Sequence, residues 1–256
     1  MKNAISAELY KVRHDRLIWL IPVLYFAIGL YTGSCSHAIF RTYKELGFFS
    51  VSEFSRAFFP FAAAVVTGYV IGGDFSRNTI QNALSAGVGG KHYYFSRLLI
   101  QKLFTGALFM IAVLTHVAVR LVRSRETSFA GIEFLWLKLA VYMAVVLFQL
   151  LAYVSVMNAV CYFVKKQLTA AVCGMGLVYL EVILRQVFMI KGIASMQSVF
   201  EYAPSVVIMG LFEYAVYDQI FTAGFLKYVI SALIIMAVSS GAGYLKFCRD
   251  RGGIFR

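Results

Sequence analysis

Acidic residues are scarce in this chain: 12 Asp+Glu among 256 residues, with charged residues of both signs only 14% of the total. A soluble domain carries about 25% charged and about 45–50% apolar residues, whereas 61% are hydrophobic here. So little charge excludes a disordered chain, a nucleic-acid-binding domain and the ordinary cytosolic enzymes. The four cysteines have no close spacing and supply neither a disulfide framework nor a metal site. Cys161 and Cys173 fall in apolar segments and read as small hydrophobes. There are only four histidines, His14, His37, His92 and His116, and no serine–histidine, paired-carboxylate or metal-ligand set accompanies them. His116, near the outer end of an apolar run, reads as an interfacial residue. The glycine-rich stretch Gly87–Lys91 is not a phosphate loop, because Ser85 and His92 occupy the places of the first Gly and the final Ser or Thr. The chain is therefore expected to have no ATPase or other enzymatic chemistry and to bind no cofactor of its own.

What the sequence has in quantity is apolar runs, and a helix needs roughly 20 such residues to cross a hydrocarbon core of about 30 Å. Six runs qualify: Leu17 to Gly33, one centred on Phe58 to Ile71, Leu98 to Val119, Phe134 to about Val164, Leu168 to Ile190, and about Lys227 to Phe247. The fourth is too long for one untilted span, so part of it extends beyond the core. Ser205 to Val216, following Pro204, is too short to span and reads as interfacial or re-entrant. No A-x-A-like site follows the first run, so it is read as an uncleaved span. The expected fold is an all-α polytopic membrane protein, with residues 1–256 forming a single transmembrane domain.

Charge orients these spans. The formal net charge of +12 would suggest an anionic partner in a soluble protein; in a membrane protein it sorts by loop. With six spans and the N-terminus inside, Lys2, Lys11, Arg13, Arg16, Arg77, Lys91, Arg97, Lys102, Lys165, Lys166, Lys246, Arg249, Arg251 and Arg256 are cytoplasmic. Arg41, Lys44, Arg56, Arg120, Arg123, Arg125, Lys138 and Lys191 fall outside. The first group outnumbers the second, as the positive-inside rule requires. Both termini are then cytoplasmic, and no nucleic-acid partner is needed. The cluster Arg120–Arg125 is left without a reason.

Three segments are candidates for mechanism. In Lys2–Arg16, Ile5, Leu9 and Val12 share one helical face while Glu8, Lys11 and Arg13 lie elsewhere, the pattern of a helix at the inner membrane surface with basic groups toward anionic lipids. Between the second and third spans, Asn78 or Thr79 can cap a short helix, Ile80, Ala83 and Leu84 give it an apolar side, and Gly87 can end it. That side must bury against another protein or against this chain's own helix ends. In the fifth span, Glu181 lies about 20 Å and Arg185 about 26 Å from the inner end. Charges this deep are costly. The two can form an i,i+4 pair or an interhelical hydrogen bond, or they can line a translocation route. Glu-x-x-x-Arg also occurs in prenyl-protease-like membrane proteases, but Leu180 precedes Glu181 and no histidine follows Arg185. The spacings Gly29–Gly33 and Gly68–Gly72 permit close helix approach, and Trp19 and Trp136 fit interfacial anchors.

This order of parts resembles the permease subunit of type-2, exporter-class ABC transporters. The resemblance rests on AELYKVRHDR before the first span, on Asp74, Asn78-Thr79, Ala86-Gly87, Lys91 and Arg97 in the loop after the second, and on the apolar segment around Pro204–Val216. It implies a bacterial plasma-membrane protein that pairs with a second, identical or related, permease copy. It also implies that a separate ABC ATPase subunit holds ATP and Mg. Thr79–Ala86 would be the coupling helix, with Asp74, Asn78, Thr79, Ile80 and Leu84 at the ATPase contact. Lys2–Arg16, with Glu8, Lys11 and Arg13, would be the elbow helix in contact with membrane lipids. Ala194–Gln219 would form an extracellular cap or gate, and spans one, two and five would face the partner permease, with Glu181 near that interface. The implied activity is export of an amphipathic or hydrophobic substrate, such as a peptide, antibiotic or lipid-like molecule, as in antimicrobial-peptide export and self-immunity. The competing reading is an ion-gradient-driven secondary transporter, for which Glu181 is the one immersed acid.

Overall fold

The computed structural model describes residues 16–35, 75, 79–123, 135–208, 211 and 223–254. Among these the structure is helical, with α1 (Arg16–Cys35), α2 (Thr79–Ser85), α3 (Gly90–Arg123), α4 (Leu135–Val164), α5 (Gln167–Ile190), α6 (Ala194–Phe200) and α7 (Ala223–Ile254). Residues 204–208 are also helical. Four stretches, Gly90–Arg123, Leu137–Val164, Leu168–Ile190 and Phe225–Asp250, are long and apolar enough to cross a membrane; the apolar stretch Trp19–Ser34 of α1 is shorter. The expected second span, Phe58–Ile71, and the expected interfacial helix with Glu8, Lys11 and Arg13 lie outside the described residues.

The fourth apolar run becomes the central helix. From Tyr142 to Tyr162 most positions of α4 are buried, as suits a helix apolar all round. It packs along α7 over most of its length and more lightly against α3 and α5. Gly243 permits the α4–α7 approach: a methyl there would lie 3.2 Å from the Ala159 Cα and 2.5 Å from the Tyr94 hydroxyl. Near the start of α7, the Gln149 amide donates to the Tyr228 carbonyl at 2.7 Å.

The second close pair is α1 with α3, and Gly29–Gly33 is its contact. A methyl on Gly29 would meet the Ala112 carbonyl at 2.7 Å, and one on Gly33 would meet Val119 Cβ at 3.0 Å. The counterpart spacing at Gly68–Gly72 lies outside the described residues. His116 sits in this seam with no exposed surface, and its Nδ1 lies 2.8 Å from Thr32 Oγ1. The Thr32 hydroxyl donates to the Ile28 carbonyl at 2.9 Å, which leaves its oxygen to accept from His116. Of the unexplained basic cluster, Arg123 donates to the Ser34 carbonyl at the C-terminal end of α1. A cation there satisfies an orphan carbonyl and complements the helix dipole.

Two connections end alike. Gly87 (φ +83) and Gly192 (φ +66) each stop a helix in the left-handed region. Val88 N–H bonds to Ala83 O and Gly87 N–H to Leu84 O, while Ile193 bonds to Phe188 O and Gly192 to Met189 O, the Schellman pattern in both cases. The α4–α5 turn instead places Lys165 at φ +58.

Candidate functional site

The short helix α2 forms where the sequence places one, and its two sides differ. Ile80 and Leu84, each 8% exposed, belong to the chain's own core, with Phe75, Ala83 and Val88 packed against it. Gln81, Asn82, Ser85 and Ala86 are exposed. The apolar side is thus buried within this chain, and Ile80 and Leu84 keep little surface. Thr79 is half-buried at the start of the helix, while Asp74 and Asn78 lie outside the described residues. At about 1.5 Å per residue, the 34 residues of α3 run about 51 Å, well beyond a hydrocarbon core of about 30 Å. The apolar run begins only near Leu98, so the Gly90–Arg97 end, which carries α2, extends past it.

At the start of α3, just past α2, lies an aromatic cluster that composition did not reveal. Tyr93 stacks on Phe247 at 6.2 Å, Tyr162 meets Phe247 edge-on at 5.6 Å, and Phe75 meets Tyr162 edge-on at 5.5 Å. Tyr94, with no exposed surface, lies 5.2 Å from Tyr162 and 5.9 Å from Phe247 between ring centroids. Its hydroxyl donates to the Ser240 carbonyl at 2.9 Å and accepts from the Asn158 amide at 3.0 Å. A lone Asn in the apolar run of α4 was the one sequence signal available for this node. At the same end, Lys165 and Lys246 reach opposite oxygens of Asp250, at 2.9 and 3.0 Å, and Lys246 also lies over Phe163.

Glu181 and Arg185 are both half-buried on α5 but do not form an ion pair. Instead the Glu181 carboxylate accepts from the Ser205 hydroxyl, and Arg185 Nε is buried without a hydrogen-bond partner among the described residues. The position of Ser205 fixes the path of the chain after α5. Glu181 lies nine residues before Ile190, about 14 Å back along the helix. The segment must therefore turn at Gly192, pass through α6 and double back alongside α5. Phe188 stacks on Phe200 at 5.6 Å along the way. Ser205, Val206, Val207, Ile208 and Leu211 are all buried, and Tyr202 packs on Tyr228 of α7. The remainder of the expected segment, through Val216, lies outside the described residues apart from Leu211.

A helical chain with several membrane-length apolar helices, a short helix carried beyond one of them and a doubled-back segment after another is a polytopic membrane protein of transporter type. A family model for the ABC-2 family transporter protein matches residues 4–182, and the chain belongs to that family. It is an ABC-2 type permease, and this family implies partnership with an ABC ATPase subunit. No curated protein and no solved structure matches the chain.

Proposed function

We propose that this permease is the transmembrane half of an exporter that moves an amphipathic or hydrophobic substrate, driven by ATP that a separate subunit binds with Mg and hydrolyses. The observation that carries the reading is the two-sided α2. A helix anchored by Ile80 and Leu84 and bare on Gln81, Asn82, Ser85 and Ala86 is built to seat in another protein while remaining rigidly joined to its own. It carries no charged residue, so its recognition relies on shape and neutral hydrogen bonds. Asp74 and Asn78 extend this contact on the N-terminal side.

The remaining parts take their places around it. The chain crosses the plasma membrane six times, with the second span over Phe58–Ile71 and both termini in the cytoplasm. Lys2–Arg16, through Glu8, Lys11 and Arg13, forms an elbow helix on the inner lipid surface. The doubled-back segment tied to Glu181 is an extracellular re-entrant cap, and a second permease copy completes the pathway. The chain itself contributes no ATPase chemistry.

The test is reconstitution with the ABC ATPase encoded beside this permease. The pair should co-purify and hydrolyse ATP, with vesicle-enclosed complex accumulating a hydrophobic peptide only when ATP is supplied. Accumulation driven by an ion gradient in vesicles lacking any ATPase would overturn the reading in favour of secondary transport.

A further inference from the structure

α2 reaches the membrane helices through its short link to α3, whose first turns hold Tyr93 and Tyr94 in the aromatic cluster with Tyr162 and Phe247. Within that cluster Tyr94 is singular. It belongs to α3, four residues past the start of the helix that carries α2. Its one hydroxyl holds α4 through Asn158 and α7 through the Ser240 carbonyl. The ring is enclosed by Tyr162 of α4 and by Tyr244 and Phe247 of α7. Gly243 leaves the space that the hydroxyl occupies: a Cβ there would come within 2.5 Å of it. Elsewhere the α3–α4 and α3–α7 contacts are slight beside those of α4 with α7 and α1 with α3.

We infer that Tyr94 is the positioning residue that passes displacement of α2 to α4 and α7 together. This rests on the docking role of α2 proposed above. Ring packing alone transmits compression, since close-packed side chains resist overlap but separate freely. Directional hydrogen bonds in a dry interior also resist separation. The Asn158–Tyr94–Ser240 chain therefore makes the coupling two-way: α4 and α7 follow α2 when it is pulled as well as when it is pushed. The partner helices share one donor–acceptor centre, so neither can move alone without breaking it.

The experiment uses the full chain in complex with its ATPase. Spin labels are placed at the exposed positions Ile190 on α5 and Leu226 on α7. The distance between them is measured with ATP and vanadate and without nucleotide. Tyr94→Phe keeps the ring and removes the hydroxyl; Asn158→Ala is the second variant, which removes the α4 arm alone. Gln149→Leu, which breaks the direct hydrogen bond from Gln149 of α4 to the Tyr228 carbonyl of α7, controls for a purely structural loss. We expect wild type and Gln149→Leu to show the nucleotide-driven distance change. Tyr94→Phe and Asn158→Ala should bind the ATPase within about twofold of wild type, yet lose most of that change and about tenfold of the permease-dependent ATPase stimulation. An undiminished distance change in both node variants overturns the inference alone, as does an equal loss in Gln149→Leu. A wild-type permease that does not engage the ATPase overturns the docking reading and this inference with it.

Discussion

The Ser205 hydroxyl donates to the Glu181 carboxylate, joining α5 to a segment 24 residues further along the chain. Ser205 is 2% exposed, so this bond is made away from solvent. Removing the hydroxyl takes one donor from a half-buried carboxylate and leaves it the Ser205 backbone N–H, whereas Glu181→Gln keeps an oxygen that can accept. We expect Ser205→Ala to destabilise the protein by about 1–3 kcal/mol and Glu181→Gln by less. Thermal unfolding in detergent checks the order; a larger loss in Glu181→Gln would show that the charge itself holds the segment.

The glycines divide sharply. Gly29→Ala would drive a methyl to 2.7 Å from the Ala112 carbonyl, a backbone atom that cannot turn aside, while a methyl on Gly176 meets nothing within 4 Å. We expect Gly29→Ala to cost about 1–3 kcal/mol by overpacking. Gly176→Ala should be neutral or stabilising by up to about 1 kcal/mol, from helix propensity. Melting temperatures of the two variants, measured side by side, provide the comparison.

Asp250 bridges two lysines, Lys165 from the α4–α5 turn and Lys246 from its own helix. The Lys165 side chain is 49% exposed, so the bridge is largely solvated. We expect Asp250→Asn to lose no more than about 1 kcal/mol. The difference from wild type should shrink in 1 M salt, where screening acts over about 3 Å. Unfolding at low and high salt checks both statements.

The sequence disclosed most where periodicity and punctuation carry the signal. The long helices follow from their apolar runs, α2 from Thr79 and Gly87, and a close helix approach from Gly29 and Gly33, though the spacing does not name α3 as the partner. It disclosed least where two distant residues meet. Ile80 and Leu84 mark an apolar side, but spacing cannot say whether that side faces inward or toward a partner, and it faces inward. Glu181 and Arg185 have ideal spacing for a pair, yet the carboxylate accepts from Ser205, whose position depends on how the chain turns after Gly192. The Tyr94 node joins residues 64 and 146 positions apart, beyond any local pattern.

The two sides of α2 should respond oppositely to substitution. Ile80→Asp places a charge in the core and is expected to destabilise the permease by about 3 kcal/mol or more, read as a fall in melting temperature and yield. Leu84→Ala should cost about 2–5 kcal/mol in the same measurement.

The most direct measurement is the affinity of the ABC ATPase for the detergent-solubilised permease carrying Ser85→Trp or Gln81→Asp on the exposed side of α2. Leu226→Ala, at an exposed position on α7, serves as the control. The account expects each α2 variant to fold with an unchanged melting temperature and to bind about tenfold or more weakly, a loss of at least about 1.4 kcal/mol. The control should bind as wild type does. Wild-type affinity in both α2 variants would contradict the assignment of α2 as the contact through which the ATPase drives this permease.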